Sequence, residues 1–419
     1  MPALYLEGMG INMEKILREN YLDTLSQLCG KNLIKVVTGA RRVGKSTLLA
    51  QFQEKLKTEQ PQAQIFSINL DVPEYRFLAE KNWKEVYDII IKTIDQEKTN
   101  YIFLDEIQNV SQFEKLLEGL FVHPKVDLYV TGSNAYLLSS ELATLLTGRA
   151  FEINVLPFSF VEYLEFTEDK SNADRHFENY VRTGGFPEAV KMSQISSGYS
   201  YQYLQTVYKN IYENDIKPRY GILSEHSYQE VVNFLADSIG SPVSAGNISK
   251  VLTNSGKKID NKSVSKYIST LTDSYLFYMS SRYDIKGKQH LSTLEKYYLV
   301  DTGFRNALLG KELSADRGHL LENIVYLELL RRKNRVWTGK IGDSEVDFVA
   351  RDNNGYTKYY QVSQSVKNPD TLARELAPFN KIPDHNEKIL ITADYETGSR
   401  SGIKQINIVD WLLGRGCPS

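Results

Sequence analysis

From Leu33 to about Ile153, short apolar runs alternate with stretches in which apolar residues recur every three or four positions. The runs Leu33–Thr38, Gln64–Leu70, Tyr101–Leu104, Lys125–Thr131 and Ala150–Val155 have the length and composition of strands. Parallel strands are buried on both faces and read as continuous apolar runs, so the alternation predicts a parallel sheet with helices on either side. Pro157 closes this region. From Phe158 to about Ile239 the pattern is helical, with Tyr-rich stretches such as Tyr199–Tyr212 and a break at Gly184-Gly185-Phe186-Pro187. From Ser241 to about Leu309, two short helical patterns precede aromatic, strand-like segments. A last helix, Gly318–Arg332, leads into strands expected around Val336, Val346, Tyr360 and Ile389. The fold class expected is α/β.

With 419 residues the chain exceeds what one core usually organises, which predicts two to four packed units. A formal net charge of −2 gives no global sign of a nucleic-acid binder, although local patches can hide in such an average. Cys29 and Cys417 are the only cysteines and the six histidines are scattered, so neither a disulfide framework nor a Cys- or His-based metal site is expected. No apolar run has the length of a membrane span, and Glu7 and Glu14 interrupt the N-terminal stretch where a signal peptide would be apolar. A cytoplasmic protein with no membrane partner is the expectation. The 27 tyrosines are dispersed, which suits half-buried packing residues.

Chemistry enters at Gly39-Ala40-Arg41-Arg42-Val43-Gly44-Lys45-Ser46, which satisfies Gly-x-x-x-x-Gly-Lys-Ser in full and is followed by Thr47. Glycines let the backbone turn so that its N–H groups face phosphates, and the following helix presents its positive end to the same anion. Lys45 would meet the β and γ phosphates, and the Ser46 hydroxyl would ligate magnesium. The setting, a strand before and a helix after, is the one the motif requires. A second motif, Tyr101-Ile102-Phe103-Leu104-Asp105-Glu106, is an apolar strand ending in two acids. Burying adjacent carboxylates is costly without a cation, so Asp105 is expected to serve magnesium and Glu106 to act as general base on the attacking water. After the next strand, Thr131-Gly132-Ser133-Asn134 offers Asn134 as a polar group between these motifs, beside the γ-phosphate; a helix cap is its plainer reading.

The sequence resembles the AAA-type P-loop ATPases of bacteria and archaea that carry an uncharacterised C-terminal domain with a PD-(D/E)xK nuclease-like core. The matching residues are Gly39 to Thr47, Leu104-Asp105-Glu106-Ile107, Thr131-Gly132-Ser133, Leu146-Thr147-Gly148-Arg149, Leu156-Pro157-Phe158-Ser159-Phe160 and Gly184-Gly185-Phe186-Pro187. They occur in order over nearly the whole chain. The resemblance implies an ATPase core at 1–156, a helical lid at 157–240, a winged helix at 241–310 and a nuclease-like α/β domain at 311–419. It also implies ATP rather than GTP as ligand, with Mg2+. Arg149 could then be an arginine finger, in its own chain or in a neighbour of a homo-oligomer, or a structural ion pair.

The segment Ser241–His290 holds seven Lys and one Arg against three Asp and no Glu, a local charge of +5. Read as a winged helix-turn-helix, it has a first helix at Asn247–Thr253 and a recognition helix at Asn261–Ser274. Lys262 and Lys266 lie on that second helix, and an aromatic hairpin at Tyr275–Tyr283 carries Lys286 and Lys288 at its tip. These lysines would neutralise DNA phosphates. Winged helices also serve as protein-interaction modules, and that alternative stays open.

PD-(D/E)xK chemistry needs a helix carboxylate, a strand Asp and an acid-x-Lys pair on the next strand. Here Glu322 and Asp347 supply the first two, but Gln361 and Ser363 stand in the pair's place. Glu345, two residues from Asp347, partly compensates. A retained fold without cleavage is therefore expected. Three readings result: an ATP-hydrolysing switch, an ATP-gated nuclease, and a nucleotide-dependent DNA- or partner-binding regulator with negligible turnover.

Overall fold

Five strands, β1 (Ile34–Thr38), β2 (Gln64–Asn69), β3 (Asn100–Asp105), β4 (Val126–Thr131) and β5 (Ala150–Asn154), pair in parallel in the order β2-β3-β4-β1-β5. Each lies within a residue or so of its expected span. In the computed structural model, residues 16–133, 148–167, 171–222, 224–310 and 317–415 are described. β1 and β3 are buried along their whole length, whereas the edge strands β2 and β5 are partly exposed. Alternation sends successive side chains to opposite faces. Ile34, Val36, Ile102, Leu104, Leu128 and Val130 meet the helices Trp83–Thr93 and Phe113–Phe121 on one side. Val37, Tyr101, Phe103, Tyr129 and Ile153 meet Leu48, Leu49, Phe52 and Leu56 of the helix Lys45–Glu59 on the other. Each such aliphatic side chain contributes about 1.5–3 kcal/mol by burial, and together they hold the strand ends that carry the motifs in fixed register.

Helices follow from Phe160 to Asp237, and the Gly-Gly break within them has a specific cause. Gly184, at φ +76, lies so close to the Asp301 carboxylate that a Cβ would come within 1.8 Å of it. The Gly185 N–H donates to Asp301 Oδ2 at 2.6 Å, and Asp301 also caps the helix Thr302–Leu309. Pro187 then opens the next helix at its first turn, where its missing N–H costs nothing.

The remaining strands form one nine-stranded sheet. They are β6 (Pro242–Val243), β7 (Phe277–Asp284), β8 (Gln289–Leu299), β9 (Arg335–Ile341), β10 (Ser344–Arg351), β11 (Thr357–Ser363), β12 (Glu387–Thr392), β13 (Gly398–Arg400) and β14 (Ile403–Asn407). Their order is β13-β14-β12-β11-β10-β9-β7-β8-β6. One expectation needs correction: the stretch Tyr275–Tyr283 is not a whole hairpin but essentially its first strand, since β8 supplies the return. The sheet runs across the segments on either side of 310/311, because β7 pairs in parallel with β9, Arg282 opposite Thr338. Ahead of the hairpin stand the helices Ala245–Asn254 and Asn261–Asp273. Among the described residues no helix is long and apolar enough to cross a membrane.

Candidate functional site

The loop between β1 and the helix Lys45–Glu59 lies at the C-terminal edge of the parallel sheet, where open α/β sheets bind ligands. Both motif glycines have backbone conformations that other residues resist. Gly39 has φ +134, and a Cβ there would stand 2.3 Å from the Val155 carbonyl oxygen; Gly44 has φ +97 and precedes the helix. Lys45 is buried, and its ammonium donates to the Gly39 and Ala40 carbonyls at 3.0 and 3.1 Å. Burial pulls its pKa below the ordinary lysine value, while Glu106, Asp105 and Asp215 pull the other way.

β4 lies between β1 and β3, so the end of β4 faces both motifs. Thr131 there donates its hydroxyl to Asp105 Oδ1 and accepts the Glu106 N–H at 2.9 Å. Asn69, at the end of β2, donates to Asp105 Oδ2 at 2.9 Å. Burial pushes the Asp105 pKa up, and the nearby Ser46 and Thr131 hydroxyls hold it down. Glu106 has φ +55, a left-handed conformation that costs a non-glycine residue about 1–2 kcal/mol and is tolerated where surroundings fix it. A hydroxyl and clustered carboxylates are hard oxygen donors, and this donor set suits magnesium. Ser46 and Asp105, the two residues expected to serve magnesium, lie next to each other.

A further acid at this site has no mark in the sequence. Asp215 lies in a π-helical turn, Tyr212–Ile216, that extends the long helix Ser197–Ile211. Its carboxylate pairs with the P-loop Arg41 at 3.4 Å, and the more distant Asp71 pairs with the same guanidinium at 4.0 Å. Burial raises the Asp215 pKa to about 6, against the downward pull of Arg41; Glu106 raises it further and Lys45 opposes. A second connection leaves from Thr38, the residue before the loop. Thr38 donates to Glu152 Oε1 at 2.7 Å, and Tyr275 donates to the same oxygen at 2.9 Å.

Other expected residues lie elsewhere. Asn134 lies outside the described residues. Arg149 precedes Ala150, which pairs with Ile34 at the start of β1. About 13 Å of strand therefore separates it from the loop. Its guanidinium lies over the Phe121 ring, 5.9 Å from the centroid. A finger reaching the nucleotide of its own chain is set aside by that position. Lys262, Lys266, Lys286 and Lys288 are exposed, the latter two in the β7–β8 turn. Glu322, Glu345, Asp347, Gln361 and Ser363 line one cavity of about 780 Å³.

Residues 31–164 match an AAA domain, and residues 174–315 match a domain of unknown function. An uncharacterised protein of Haemophilus influenzae is 38% identical over 408 residues, which cover 95% of this chain and 98% of that protein. One of Methanocaldococcus jannaschii is 26% identical over 396 residues, 90% of this chain and 85% of the relative. A solved Walker-type ATPase of Pyrococcus abyssi is similar with a TM-score of 0.48 and 16% identity, covering 73% of this chain and 99% of that one.

Proposed function

The chain belongs to the same family as its Haemophilus influenzae relative and carries an AAA domain, and from that premise we propose that it is an ATP-hydrolysing switch. The observation that carries this reading is the convergence of Lys45, Asp105, Glu106 and Thr131 on one loop whose two glycines both have positive φ. Backbone N–H groups of Gly39–Ser46 cradle the phosphates, and Lys45 leaves the loop carbonyls to meet the β and γ oxygens. Ser46 and Asp105 would hold magnesium, which when bound would neutralise charge on the phosphates. Glu106 takes the proton of the attacking water; Thr131, on its N–H and on Asp105, fixes the acids relative to each other. Arg41 and Asp215 carry the nucleotide state to the lid, because a γ-phosphate beside Arg41 competes with the carboxylate for the guanidinium.

In this reading residues 157–240 are the lid, 241–310 a winged helix, and 311–419 a nuclease-like domain without cleavage. Exposed Lys262, Lys266, Lys286 and Lys288 make DNA the favoured partner of the winged helix. Arg149 acts, if on phosphate at all, in a neighbouring subunit. ATP turnover with and without duplex DNA tests the proposal. Lys45→Ala is expected to lower kcat/KM by about 100-fold or more. Glu106→Gln is expected to slow turnover about 100-fold while ATP stays bound. Wild-type turnover in both variants would overturn the assignment.

A further inference from the structure

The nuclease-like reading of residues 311–419 implies a divalent cation held by Glu322, Asp347 and an acid-x-lysine pair. The donor set does not fit one. Gln361, in the acid's place, is neutral and engaged: its Nε2 donates to Glu375 at 2.9 Å, and its Oε1 accepts the Asp347 N–H at 3.3 Å. Ser363, in the lysine's place, donates its hydroxyl to the Ser365 carbonyl at 3.3 Å. Asp347 Oδ2 accepts the Val362 N–H at 2.8 Å, which ties up one of its two oxygens.

An ammonium stands among these acids instead. Lys296, on β8, is 3% exposed, and its Nζ lies 3.1 Å from Glu322 Oε1, 2.6 Å from Glu345 Oε1 and 3.8 Å from Asp347 Oδ1. Tyr298, two residues on and on the same face of β8, donates to Glu322 Oε1 at 2.6 Å. The three carboxylates come from the helix Arg317–Arg331 and from β10, whereas the cation comes from the hairpin that precedes both.

We infer that Lys296 is the resident cation of this pocket, an intramolecular ammonium in the place of a divalent metal, and that it fastens the β7–β8 hairpin to the C-terminal strands and helix. An ammonium is a single charge with three donors, and here it faces three carboxylates at once. A buried cluster of acids needs a positive partner, and with Lys296 in place that need is met without an ion from solution. A metal would have to displace a side chain anchored by its own strand. The pocket keeps the outline of a hydrolytic site while one of its own residues takes the position the chemistry requires for metal. This inference stands independently of the ATPase reading.

Terbium binding to the full chain tests it, read by luminescence sensitised through Tyr298, whose hydroxyl touches Glu322. A magnesium site at the P-loop would also take terbium, so the informative quantity is the part of the signal that Asp347→Asn removes. Wild-type protein is expected to show no such part. Lys296→Met is expected to gain Asp347-dependent binding at least tenfold tighter than any in wild type. Asp347-dependent terbium binding by wild type would overturn the inference, as would a folded Lys296→Met chain that gains none. Where Lys296→Met does not fold, Lys296→Gln, which keeps a polar end but no charge, takes its place with the same expected gain, and a folded variant that gains none overturns the inference.

Discussion

Replacing Asp215 by Asn should make the protein more stable, although it removes an ion pair. Asp215 is buried beside Glu106, and Arg41 only partly compensates, so its pKa rises from the ordinary 3.8 to about 6. Each pH unit of that difference is worth about 1.4 kcal/mol, so the ionised carboxylate costs the folded chain about 3 kcal/mol at pH 7.5. The side chain is only 8% exposed, so solvent screening takes little from this figure. For an acid whose folded pKa is raised, the penalty is full above the folded value and fades as pH falls towards the unfolded value. The window is therefore pH 6 down to 3.8, and at pH 4.5 about 1 kcal/mol remains. Urea unfolding of Asp215→Asn and wild type, at pH 7.5 and 4.5 without nucleotide, measures both differences. Asn keeps the shape but gives up the charge that answers Arg41, so under the proposed switch the coupling between the P-loop and residues 157–240 should weaken while stability rises, a trade often met at functional sites. A variant less stable than wild type at pH 7.5, or a difference that ignores pH, would refute the reasoning.

Other substitutions probe the remaining connections. Gly39→Ala places a methyl 2.3 Å from the Val155 carbonyl oxygen at a positive φ, and equilibrium dialysis should find ATP affinity reduced at least about tenfold, because the loop must move to relieve overlap. Tyr275→Phe removes one donor to Glu152 and should cost about 1 kcal/mol in thermal or urea unfolding, with no cavity to enlarge the effect. Lys262→Glu with Lys266→Glu, both exposed, should abolish DNA binding at 150 mM salt and flatten its salt dependence by about two counterions; unchanged binding in filter or anisotropy assays would move the DNA surface elsewhere.

The parallel sheet of the AAA domain was legible because burial on both faces leaves a plain mark: Val36, Val37, Ile102 and Phe103 must all be apolar, and the helices between must alternate. The site was legible where chemistry is local, in the P-loop and in Asp105-Glu106. Thr131 lay inside a motif that had drawn attention to Asn134. Asp215 was beyond reach, since it follows the loop by well over a hundred residues inside a helical run, with no spacing to mark an acid that faces inward. Lys296 was hidden for a related reason. In the sequence, Glu295-Lys296-Tyr297 has the look of a solvated strand segment, and only the pairing of β7 with β9 turns Lys296 towards Glu322. Pairing between strands separated by some fifty residues is a property of topology, and hydrophobic periodicity carries no trace of it.

The unbroken run from β6 to β13 also bears on how this chain is inherited and dissected. A fragment beginning at residue 311 would leave the β9 flank without its neighbour β7, a row of unsatisfied amides and carbonyls that invites association with other chains. The same cut would strip Glu322 and Asp347 of their counter-charge. Moving such a tail onto a different domain would thus require the hairpin to travel with it, and the excisable unit is longer than the segment that begins at residue 311.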